Sequence, residues 1–96
     1  MSDEDNERQR ELSEINRRFE QMVPHNRALN LEVLAVEHAR ATFRLPYDVK
    51  LIGNPETGVM HGGAITAAMD AACGAAVFQA LPRPMGIATL DLRIDY

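Results

Sequence analysis

Ninety-six residues, 46% hydrophobic and 25% charged, make room for one domain at the small end of what buries a self-sufficient core. The formal net charge is -4 with acids and bases mixed along the chain, so no basic stripe is available to neutralise a phosphate backbone, and nucleic acid is excluded as a partner. A single cysteine, Cys73, excludes an internal disulfide, and no Cys and His cluster stands at zinc-ligand spacing, so no metal is expected.

The first residues are acidic, without the apolar run of a secretory signal or the arginine-rich bias of a transit peptide, which reads as a cytoplasmic protein. Residues 1–23 form a polar, amphipathic helical segment: Leu12, Ile15, Phe19 and Met22 recur at three- and four-residue spacing and put one narrow apolar stripe on a helix. Within residues 1–10, where charge dominates, a frayed leader is the alternative. Pro24 ends the segment, and residues 24–96 form the main domain.

From residue 29 to 45 the pattern changes to period two. Ala39, Ala41, Phe43 and Leu45 alternate with Arg40, Thr42 and Arg44, which predicts a strand with one wet face. The run from Leu31 to Val36 is also β-prone, and Glu37 and His38 between the two runs predict a tight antiparallel hairpin. His25 and His38 are read as surface residues.

Residues 46–58 carry Pro, Gly, Asn and Asp at loop density and lead into residues 63–81, an alanine-rich helix former. Its faces are nearly all apolar, which predicts burial on most sides. The length would permit a membrane span, but Asp70, Gln79, Thr66 and the weak hydrophobicity of Ala favour a buried central helix and no membrane. Pro82 and Pro84 close it, and residues 86–96 alternate again, with Ala88, Leu90, Leu92, Ile94 and Tyr96 on one face of a predicted strand. A hairpin and one further strand do not cover so apolar a helix, so more strands are expected after Tyr96.

The chemistry concentrates at the start and middle of the long helix. The first N–H groups of a helix lack intrahelical partners and carry the positive end of the helix dipole. Gly62 and Gly63, without Cβ atoms, let a substrate carbonyl approach those groups and form an oxyanion site, although two glycines also suit a plain loop-to-helix turn. Asp70 is a carboxylate in an apolar helix, with no Lys or Arg between Val59 and Pro82 to pair it. It reads either as a general base or nucleophile, or as the partner of Arg40 or Arg44 from the hairpin. Seven residues at about 1.5 Å each separate Gly63 from Asp70 by roughly 10 Å, too far for one helix to bring both to one carbonyl. Two such helices packed antiparallel across a twofold axis meet the need, so a site shared between subunits is expected. His61 is read as a positioning residue, Met60 as an adaptable apolar residue for core or acyl pocket, and Cys73 as a small buried filler.

Gly58, Val59, Met60, His61, Gly62 and Gly63 followed by Asp70 resemble the signature of the phenylacetate-degradation (PaaI-like) thioesterases within the hot-dog superfamily, over residues 19–96. The resemblance implies an α+β hot-dog fold, a long helix wrapped by a curved antiparallel sheet, completed by at least two strands beyond Tyr96. It implies dimers or tetramers and hydrolysis of acyl-CoA without metal or organic cofactor. In that family the Gly62 N–H polarises the thioester carbonyl and Asp70 of the facing subunit acts as base or nucleophile. Asn54 matches a polar residue that positions substrate or water, and Thr89 falls where a Ser or Thr holds the nucleophilic water. Strand alternation places Thr89 with Asp91 and Arg93. A hot-dog dehydratase and a non-catalytic acyl-CoA-binding domain are the alternatives; an Asp70 salt-bridged to the hairpin would favour the binding domain.

Overall fold

A computed structural model describes residues 2–95 as an α+β arrangement of three helices and two short antiparallel ladders. Helix α1 spans Asp3–Met22. Ser2 caps it by accepting a hydrogen bond from Asp5 N (3.2 Å), and Asp3, Glu4 and Asp5 set negative charge against the positive end of the helix dipole. Leu12, Ile15 and Phe19 turn partly inward as the stripe predicted, whereas Met22 is exposed. Pro24 does more than end α1: it occupies the first position of a second helix, α2 (Pro24–Ala28), where a missing N–H costs nothing.

Strands β1 (Glu32–Glu37) and β2 (Arg40–Arg44) form the expected hairpin, paired from Glu32 opposite Arg44 to Glu37 opposite Arg40. The turn falls at His38 and Ala39, one residue later than the sequence suggested, and Ala39 takes a left-handed φ of 56°. The register shifts between Val33 and Ala35, so Leu34 bulges outward. At this bulge the Asn16 side chain of α1 serves as a surrogate strand. Its Oδ1 accepts from Val33 N (2.7 Å) and its Nδ2 donates to Val33 O (3.0 Å) and to Leu12 O (2.9 Å). Phe19 meets Phe43 edge to face at 5.6 Å, so α1 is fixed to the hairpin by one polar and one aromatic contact.

After a 3-10 turn (Val49–Leu51) come β3 (Ile52–Asn54), β4 (Val59–Met60) and helix α3 (Gly62–Ala80). The core gathers Leu29, Leu31 and Ala64, with Phe43, Leu45, Leu51, Ala67, Ala68 and Ala71 packed around them. One side of α3 thus rests on the hairpin.

The other side corrects the expectation of a helix buried on most faces. Only Ala64 and Ala75 of α3 are fully buried, and Met69, Val77 and Phe78 are exposed. Two strands are too narrow to wrap a 19-residue helix, and residues 86–95 join no ladder and touch α3 only locally, through Thr89 at Asp70 and Ile87 near Gly74. Leu90 in that segment is fully exposed, so alternation there records a face without a partner strand. The expected position of Tyr96 lies outside the described residues. By length and a mean hydropathy of 1.2, α3 is also apolar enough to cross a membrane.

Candidate active site

The β3–β4 hairpin delivers the chain to the start of α3. Ile52 pairs with Met60 and Asn54 with Val59. The intervening turn closes through Gly58 N donating to Asn54 O (2.8 Å), with Gly58 at φ +75°, a conformation that favours glycine. Inside the turn, Asn54 Oδ1 accepts from Glu56 N (3.0 Å) and Thr57 Oγ1 from Val59 N (3.3 Å). Tyr47, in the connection after β2, donates its hydroxyl to Gly58 O (2.7 Å).

Two contacts then set the place of His61. Its N–H donates to Leu51 O (2.7 Å), and Gly53 packs so closely that a Cβ there would stand 2.9 Å from His61 Cα. His61 is the N-cap of α3, its Nδ1 accepting from Gly63 N (2.8 Å). Nδ1 therefore carries no proton in this arrangement. Gly63 fits beneath the imidazole because a Cβ would lie 2.9 Å from Nδ1. The Gly63 N–H is thus engaged inside the cap. Gly62, the first helical residue, is half-buried and its carbonyl accepts from Thr66 Oγ1 (2.9 Å).

Asp70 lies further along the same helix, half-buried, and its Oδ1 accepts from Thr89 Oγ1 at 2.6 Å. Among the described residues no ion pair reaches Asp70; Arg44, one of its two candidate partners, stands 3.9 Å from Glu32 across the hairpin. The carboxylate is oriented by a neutral hydroxyl, with one oxygen left for a further donor. Alternation groups Thr89 with Asp91 and Arg93, but the segment is not a strand, and the Thr89 hydroxyl reaches α3.

The chain thus brings Met60, His61, Gly62 and Gly63 together at one helix end, with Asn54 in the adjoining hairpin, and joins Thr89 to Asp70 as a second group. Helix rise keeps the two groups apart: the eight residues from Gly62 to Asp70 span about 12 Å. Asn54 is committed to its own turn through Oδ1. Met60 is half-buried opposite Ile52. Cys73 is exposed rather than buried, on the open side of α3. No three His, Cys, Asp or Glu side chains among the described residues come together as a metal site. On α1, a hydrogen bond from Arg17 holds the Glu14 carboxyl below the usual range, and the same contact raises the Arg17 guanidinium.

Sequence reasoning missed Tyr47 and Gly53. A glycine inside a strand marks close backbone approach, so Gly53 carried a signal; an exposed tyrosine in a loop carries none.

Residues 57–96 match the Thioesterase superfamily family model. The medium/long-chain acyl-CoA thioesterase YigI of Salmonella typhimurium is 33% identical over 98 aligned positions, covering 88% of this chain and 63% of that protein. Its Escherichia coli K12 counterpart is 31% identical over the same coverage. A crystal structure of a Pseudomonas aeruginosa protein superposes with a TM-score of 0.68 at 49% identity, over 88% of this chain and 63% of that one. The chain therefore spans less than two thirds of these relatives.

Proposed function

We propose that this chain, which belongs to the thioesterase superfamily and has the α+β arrangement of a hot-dog domain, serves the hydrolysis of acyl-CoA thioesters to a free acid and CoA. The observation that carries the reading is Asp70: a carboxylate in an apolar helix, without a cationic partner among the described residues, aimed by the Thr89 hydroxyl. A carboxylate set among apolar helix residues and held by a hydroxyl in place of a cation is the pattern of a group with a chemical task.

In the proposed reaction the thioester carbonyl lies at the start of α3, its oxygen toward the Gly62 N–H and the positive helix end. Asp70 takes a proton from water, whose oxygen adds to the acyl carbon while the carbonyl electrons move to oxygen. The adduct then collapses, the C–S bond breaks, and CoA leaves as thiolate, taking up a proton. If Asp70 is the nucleophile instead, its oxygen adds to the acyl carbon, the C–S bond breaks to expel CoA thiolate, which takes up a proton, and water then cleaves the resulting anhydride to the free acid and Asp70. Thr89 holds the carboxylate or the water, His61 shapes the helix start, Asn54 and Gly63 hold the turns, and Met60 lines the acyl side. Because Gly62 and Asp70 sit apart on one helix, the working site takes Gly62 from one subunit and Asp70 from its partner, in a homodimer or homotetramer. The exposed Met69, Val77 and Phe78 supply apolar surface for such contacts.

The names of the relatives support a medium to long acyl group; a cytoplasmic setting, and residues 24–96 as the catalytic unit preceded by a helical segment 1–23, belong to the same proposal, and the PaaI-like subfamily rests on the His61, Gly62, Gly63 and Asp70 spacing. Release of free thiol from acyl-CoA esters of graded chain length tests the reading. Turnover that rises toward medium and long chains supports it. Binding of acyl-CoA without thiol release would replace it with a binding domain.

A further inference from the structure

We infer that Tyr47 is a positioning residue for the hydrolytic site, clamping the turn that carries Asn54 and delivers His61 and Gly62; this rests on the hydrolase reading above. Gly58 is gripped from both sides. Its N–H donates to Asn54 O at 2.8 Å and its carbonyl accepts from Tyr47 Oη at 2.7 Å. The Asn54 bond closes the hairpin upon itself. The Tyr47 bond ties that hairpin to the segment leaving β2, and so to the sheet on which α3 rests.

The hairpin needs such a tie, since β3 and β4 share only the Ile52–Met60 and Asn54–Val59 pairings, and two-stranded ladders this short are marginal alone. His61 follows Gly58 by three residues, so displacement of the turn carries into the cap of α3 and the Gly62 N–H. Tyr47 and Gly58 also fit as a pair. A Cβ on Gly58 would stand 3.2 Å from Tyr47 Oη, and the φ of +75° disfavours any other residue. Tyr47 is 60% exposed, so its contribution comes from the hydroxyl rather than from core packing.

Tyr47→Phe removes that hydroxyl and keeps the ring. The expected result is a roughly five- to tenfold fall in kcat, the size of one lost hydrogen bond, with KM within about twofold of wild type. Amide exchange at Gly58 and His61 speeds up by a similar factor while protection of α3 stays unchanged. Gly58→Ala strains the same turn from the other side, and the double variant loses less than the product of the two single losses. Wild-type kcat in Tyr47→Phe, or unchanged exchange at Gly58 and His61, would overturn the clamp. A rise in KM alone would make Tyr47 a substrate contact instead. Wild-type protein without turnover on any acyl-CoA would overturn the hydrolase reading itself, whereas Tyr47→Phe at full rate overturns only this inference.

Discussion

Replacing Asn16 by Ala tests how α1 is joined to the sheet. Asn16 bonds both main-chain groups of Val33 beside the bulge, and Val33 is the most buried large side chain among the described residues, 2% exposed. The truncation leaves one N–H and one C=O at a part-buried position, each costing about 1–3 kcal/mol when water cannot fully replace the lost partner. Partial access reduces the sum, so the expected loss is about 2–4 kcal/mol, a large share of the ~5–15 kcal/mol that holds a small domain together. Asn16→Asp keeps the acceptor for Val33 N but turns an oxygen toward Val33 O, so it falls near the Ala variant. Urea titration followed by circular dichroism measures this as a lower midpoint at constant slope. A loss under about 0.5 kcal/mol in both variants would refute the reasoning, because it would mean that solvent serves Val33 as well as the amide does.

Two other substitutions read the backbone directly. Ala39→Gly relieves the left-handed φ of 56° in the β1–β2 turn and is expected to stabilise the protein by about 0.5–1 kcal/mol in the same titration. His61→Ala removes the acceptor for Gly63 N and is expected to cost about 1 kcal/mol, whereas Asn, which caps helices through its side-chain oxygen, recovers most of it.

The elements legible in the sequence are those with a strong period. The α1 stripe of Leu12, Ile15 and Phe19, the alternation of Ala41 and Phe43 with Arg44, and the alanine run of α3 each write their geometry into residue spacing. Partnership is less legible than periodicity. Residues 86–95 alternate, yet alternation names a face and not a neighbour, and the segment joins no ladder. Pro24 read as a stop because the signals for ending one helix and starting the next coincide there. At the site, Asp70 stood out because charge in an apolar helix is costly, and Gly62 and Gly63 because glycines at a helix start leave its N–H groups open to approach; the crowding of Gly63 against His61 became visible only in the structure. For Thr89 the family resemblance pointed to the site while strand alternation grouped it with Asp91 and Arg93, so residue pattern alone did not reveal its bond to Asp70, and the clamp of Tyr47 on Gly58 depends on loop geometry that no local pattern encodes.

Asp70→Asn bears most directly on the proposed chemistry. It preserves shape and an acceptor for Thr89 while removing the charge that takes a proton from water or attacks the acyl carbon. The measurement is kcat for thiol release from the best acyl-CoA ester. The account predicts a fall of at least about a hundredfold, the ordinary contribution of a general base, with acyl-CoA binding retained. An Asp70→Asn protein that turns over within about threefold of wild type would contradict it, because the water would then be activated elsewhere.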